Sequence, residues 1–153
     1  MGANDDRVLL RKDIGSTFDE VMALGAEIEA ALLAAGWPED RGNLVRLLVV
    51  EHGANIVKHS SPLPGSVIHA QVTDAGDHCC LLFRDAGPAW DFEGRRRDID
   101  RLPTYSESGR GLGIIMTIAE RVEFRRSEGF NIALFTVARA AVDRAESVSG
   151  GET

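Results

Sequence analysis

Cysteine is scarce in this chain. Cys79 and Cys80 are the only two among 153 residues, and as neighbours in an apolar run they are poorly placed for a structural disulfide. A reducing compartment is the simpler expectation. Long apolar runs are missing too. No window approaches the roughly 18 apolar residues that a membrane span requires, and the opening MGANDDRV carries no hydrophobic segment of an export signal. A cytoplasmic location and no membrane partner are therefore expected. Positive charge is in the minority, with 17 basic against 24 acidic residues and a net charge of −7. That balance argues against direct binding of nucleic acid, while leaving room for a local basic pocket. His52, His59, His69 and His78 form no ligand cluster with the cysteines, which excludes a zinc site of ordinary spacing. No internal repeat of solenoid period is found.

What is present is a regular alternation of helical and strand periodicities. Arg7 to Lys12, built on Val8-Leu9-Leu10, reads as a short strand near a sheet edge, ended by Gly15-Ser16-Thr17. Thr17 and Glu20 have the spacing of a capping box, and Val21, Leu24, Ile28, Leu32 and Leu33 form one apolar stripe. The pattern predicts a helix from about Phe18 to Ala35. Gly36-Trp37-Pro38 breaks it, and Pro38 with Glu39 and Asp40 suits the first turn of a second helix, which runs to Ser60. From Ser66 to Asp74, Ile68, Ala70 and Val72 alternate with Val67, His69, Gln71 and Thr73, the period of a half-buried strand. Asp74-Ala75-Gly76-Asp77 predicts a hairpin. The strand that follows, His78 to Asp85, puts Cys79, Leu81, Phe83 and Asp85 on one face.

Residues 86–108 read as a loop containing Gly94, Arg95, Arg96, Arg97 and Pro103, longer than the roughly 12 to 15 residues usual inside compact domains. A short helix over Ile114 to Ala119 comes next, then Arg121 to Arg126 and Ile132 to Arg139 as a second strand pair turning at Ser127-Glu128-Gly129. The segment from Asp143 to Thr153 reads as a tail. This order predicts an α+β two-layer sandwich, a mostly antiparallel sheet covered on one face by three helices. One domain over residues 7–140 is expected, with flexible termini over 1–6 and 143–153.

Three stretches carry candidate chemistry. In LVRLLVVEHGANIVKHS, Leu47, Glu51, Asn55 and His59 recur at steps of four and share a helix face. Leu47 is expected to pack on the core, which puts Glu51 and Asn55 where a polar partner is needed. Glu51 can serve as a general base and Asn55 as an oxygen ligand for Mg²⁺, a cation that takes few protein ligands. A plain surface helix is the alternative. Asp85-Ala86-Gly87 ends a strand with a carboxylate acceptor, able to receive an exocyclic amino group and so to tell adenine from guanine. A simple Asp-x-Gly turn is the alternative. Gly109-Arg110-Gly111-Leu112-Gly113 opens a helix, where free backbone N–H groups and the helix dipole make an anion site, or else form only a turn. Its spacing fits neither the dinucleotide fingerprint nor a Walker loop. Lys58 and Arg110 can neutralise phosphate charge.

Taken in order, Glu51-x-x-x-Asn55, Asp85-x-Gly87 and Gly109-x-Gly111-x-Gly113 resemble the three nucleotide-binding boxes of the GHKL ATPase superfamily, which groups gyrase, heat-shock chaperone ATPases, histidine kinases and the mismatch-repair protein MutL. The stretches EHGANIVKHS, FRDAGPAWDF and SESGRGLGI look most like the anti-sigma factor serine kinases of bacterial partner switching. The resemblance spans roughly residues 7 to 140 and implies the Bergerat fold. It implies that Asn55 ligates the Mg²⁺ bridging the ATP phosphates, that Glu51 is the base, and that Asp85 reads the adenine amino group with Gly87 giving close approach. Gly109, Gly111, Leu112 and Gly113 would cradle phosphates beside Lys58, with Arg110 near the γ-phosphate. Two departures stand out: Ala89 replaces a glycine, and Gly129 is followed by Phe130 and Asn131 where the superfamily usually has threonine.

The implied activity is ATP-dependent phosphorylation of a serine on an anti-anti-sigma antagonist by a homodimer that also sequesters a sigma factor. A nucleotide-sensing interaction module without phosphotransfer is the alternative from another class, and a histidine-kinase-type ATPase domain a third. Helix one, near Met22 and Gly25, is the expected partner or self-association surface, with these two residues padding the core as the alternative.

Overall fold

The computed structural model describes residues 6–60, 65–89 and 107–140. Among the described residues eight elements follow one another: β1 (Arg7–Gly15), α1 (Phe18–Ala34), α2 (Glu39–Ser60), β2 (Val67–Asp74), β3 (His78–Asp85), α3 (Glu107–Ile118), β4 (Arg121–Ser127) and β5 (Phe130–Ala138). The strands form one sheet in the order β1-β2-β3-β5-β4 with every neighbouring pair antiparallel. The described residues build the expected two-layer α+β sandwich with three helices. Arg95, Arg96 and Arg97, the first five residues and the segment after Asp143 lie outside the described residues.

The inward face of the sheet is the apolar half of each alternation. Ile68, Ala70 and Val72 of β2, Leu81 and Phe83 of β3, and Ala133, Phe135 and Val137 of β5 are all buried. They meet Val21, Leu24, Ile28 and Leu32 of α1 and Val45, Leu48, Val49 and Ile56 of α2. Cys79 sits in this core, and burial above all pushes its thiol up to about 12, so it stays protonated and unreactive. Thr17 caps α1 as its spacing required, accepting from the Glu20 N–H at 3.2 Å. The β4–β5 hairpin turns through Glu128 and Gly129, both at positive φ. Two such residues match the right-handed twist of the flanking strands.

Three expectations about the helices need correction. Leu47 is 40% exposed, because the core-facing stripe of α2 is Val45, Leu48, Val49, His52 and Ile56, a more apolar set rotated by about 100° from the Leu47-Glu51-Asn55 line. Leu33 of α1 is likewise exposed, outside the stripe of Val21, Leu24, Ile28 and Leu32. Gly25 is not a partner surface. It is buried against α2, where a Cβ would meet Val50 at 3.0 Å, and Gly53 of α2 faces Val21 so closely that a Cβ would lie 2.5 Å away. These two glycines let the antiparallel helices touch, while Met22 stays on the surface.

His52 is the polar member of the α2 stripe. Its ring lies 5.0 Å from that of Phe83 and 4.9 Å from that of Phe135, both edge-on, with Phe124 further off. Burial pushes its pKa down to about 3, so the ring is neutral and serves as an aromatic wedge between helix and sheet.

Candidate functional site

The site assembles where β3 ends. Asp85 closes the inward row of that strand and is buried. Its Oδ1 accepts from the Gly87 N–H at 3.0 Å, an Asx turn that folds the chain back on itself, and from Asn131 Nδ2 at 3.1 Å. Both bonds fall on one oxygen, which leaves Oδ2 as the acceptor for a ligand.

Asn131 is paired directly across from Asp85 in the β3–β5 register and is buried like the inward residues that follow it. Besides Asp85, its Nδ2 donates to the Pro88 carbonyl at 2.9 Å and to that of Gly87 at 3.4 Å. Its Oδ1 accepts from Arg126 Nη1 at 3.1 Å, and the same nitrogen donates to the Gly87 carbonyl at 2.7 Å. Acceptors on one side of the amide and a donor on the other fix its orientation. The turn after β3 is thus clamped by side chains from β4 and β5. Neither Arg126 nor Asn131 was among the residues the motifs single out. The signal was present all the same: Asn131 falls in the inward phase of Ala133, Phe135 and Val137, and a polar residue there needs a partner.

Glu51 and Asn55 stand half-buried on the rim of α2. The rotation of the helix that exposes Leu47 turns this edge away from the core and leaves the two groups open to a ligand. Ile56, next to Asn55, lines a cavity of about 60 Å³ together with Ser16, Ser66, Asp85 and Gly87, so α2 and the end of β3 border one space. Lys58 is exposed one turn further on. Gly109, Arg110, Gly111, Leu112 and Gly113 lie within α3, which begins at Glu107. The glycine run therefore occupies the first turns of the helix and does not precede it, as the sequence had suggested. Four N–H groups at such an end still lack intrahelical acceptors.

These residues fit a nucleotide. Asp85 offers a buried acceptor for a base, and α3 offers amide donors for phosphates. Among the described residues no group of three or more His, Cys, Asp or Glu is placed to hold a metal. The donor set suits a divalent ion held by one amide oxygen, phosphates and water, and does not suit an all-protein cage. Among the described residues no helix is long and apolar enough to cross a membrane.

A family model for the histidine kinase-like ATPase domain matches residues 14–137. No curated protein matches the chain significantly. Among solved structures, the fold is similar to a chain described as the SiaB-SiaC complex from Pseudomonas aeruginosa, with a TM-score of 0.63, 14% identity, and coverage of 86% of this chain and 90% of that one. It is also similar to the catalytic domain of histidine kinase ThkA in a nucleotide-free form, with a TM-score of 0.52, 12% identity, and coverage of 85% and 97%. At such identities the likeness is one of fold, and it agrees with the family match, which brings a kinase-like, ATP-binding role. The chain belongs to the histidine kinase-like ATPase domain family.

Proposed function

We propose that this domain binds ATP with Mg²⁺ and transfers the γ-phosphate to a serine of a protein antagonist, as an anti-sigma factor type of kinase in a partner-switching circuit that regulates transcription. The observation that carries the reading is Asp85, buried, oriented by Gly87 and Asn131, and left with one oxygen for the amino group of adenine. Asn55 takes the metal and Lys58 lies beside the phosphates. Gly109, Gly111, Leu112 and Gly113 line the phosphate site, where the free N–H groups of the first turn of α3, residues 107–110, donate to phosphate oxygens, and Arg110 neutralises the γ-phosphate. Bound Mg²⁺ supplies counter-charge to the phosphates. Glu51 accepts the proton of the attacking serine hydroxyl as its oxygen bonds to phosphorus and the bond to the departing ADP breaks.

A protein partner is supported by the fold likeness to a chain crystallised as a two-protein complex. The sigma factor and assembly as a homodimer belong to the same proposal, as does a single domain over residues 7–140. Incubation with labelled ATP and the antagonist encoded beside it should give phosphoserine, lost in Glu51→Gln and in Asn55→Ala. Absence of phosphoserine from a wild-type protein that binds ATP would favour a second reading, a nucleotide-sensing module without transfer. The missing threonine after Gly129, where Phe130 and Asn131 stand, is the observation on that side.

A further inference from the structure

Among the described residues two buried side-chain polar atoms have no hydrogen-bond partner, Ser16 Oγ and Trp37 Nε1. The indole of Trp37 lies at the far end of α1, under the Arg139 guanidinium. Ser16 is different, because it lines the same cavity of about 60 Å³ as Asp85 and Gly87. A serine just before a helix would ordinarily be its cap, but Thr17 fills that role. The backbone around Ser16 is pinned on both sides. Its N–H donates to the Ser66 carbonyl at 3.0 Å, and the Thr17 N–H donates to the Gly15 carbonyl at 2.9 Å. The hydroxyl is thus held at the cavity wall without a bond to the protein, at a cost to folding that a methyl group would not incur.

We propose that Ser16 is a base-reading residue whose hydroxyl, with Asp85 Oδ2, receives the two hydrogens of the exocyclic amino group of a purine. The cavity is too small for a purine ring. It has room for an amino group entering from the rim, with the ring left outside. The assignment rests on the nucleotide site proposed above and adds a contact from the β1–α1 link, a segment that none of the three motifs includes.

The sign of two measurements tests it. Ser16→Ala should weaken ATP binding in calorimetry by about 2- to 12-fold, the range of one net hydrogen bond, while the thermal midpoint holds or rises because a stranded hydroxyl is gone. Purine riboside triphosphate, which lacks the amino group, should bind Ser16→Ala and wild type equally. Ser16→Thr keeps the hydroxyl and should keep the affinity for ATP. Equal ATP affinity in Ser16→Ala and wild type, or the same loss with both nucleotides, overturns the assignment while leaving the nucleotide site standing. Failure of the wild-type protein itself to bind ATP removes the site and this contact together.

Discussion

The two ends of β5 are each tied down by an arginine that donates to a backbone carbonyl, and they differ in what is left over. At the C-terminal end, Arg41 of α2 is buried and gives its Nε to the Ala138 carbonyl at 2.9 Å, and Arg139 reaches the Gly36 carbonyl at 2.8 Å. That latch fastens the helix layer to the sheet. At the N-terminal end, Arg126 and Asn131 grip Gly87, Pro88 and Asp85, yet Asp85 keeps an unused oxygen and Ser16 faces the same cavity. One end is latched by the fold, with the Trp37 indole N–H left without a partner but away from the cavity. The other is held by the fold and left unfinished for a ligand, as sites that bind polar groups must be.

The comparison breaks most completely in the middle of the strand. Phe135, fully buried between the two ends, supports both, so Phe135→Ala should lower unfolding free energy by about 3–5 kcal/mol and weaken nucleotide binding only through loss of folded protein. Denaturant melts with and without ATP would check this. At the latched end, Arg41→Ala strands a buried carbonyl and should cost about 1–3 kcal/mol of stability, with ATP affinity at 25 °C unchanged by calorimetry. At the ligand end, Asn131→Ala should cost a similar amount of stability and in addition weaken ATP binding by about tenfold, since Asp85 loses its orienting donor. If Arg41→Ala and Asn131→Ala reduced affinity alike, the division between the two ends would fail.

The smallest effect is a pH dependence shared by both ends. His52 is held neutral by burial, with its pKa down at about 3 against 6.5 in the unfolded chain. Below pH 6.5 the unfolded state binds a proton that the folded state refuses, so stability falls as pH falls. Between pH 7 and pH 5.5 this group should remove about 1 kcal/mol, measured as the difference between wild type and a His52→Leu variant. An identical slope in both proteins would contradict the burial argument.

The chain itself announced much of this. Period-two runs in β2, β3 and β5, the Thr17 cap and the Glu128-Gly129 turn are local features, and local sterics and hydrogen bonding decide them. Glu51, Asn55, Asp85 and the glycines of α3 stood out as candidates because their types and spacing have few other uses together. The rotation of α2 was not legible, since Leu47 and Leu48 are equally apolar and only packing against Phe83 and Phe135 selects the face that turns inward. Gly25 gave no sign of its neighbour Val50, the inward phase of Asn131 called for a polar partner without identifying Asp85, and Ser16 gave no sign of Asp85 at all.

Sequence alone therefore determined the order of elements, the buried phase of each strand and the residue types at the candidate site, because each depends on neighbours a few positions apart. Tertiary structure decided which face of α2 is core, that Asn131 orients Asp85, and that Ser16 shares its cavity. Those outcomes depend on residues from 31 to 83 positions apart in the chain, and no period or motif encodes which of them meet.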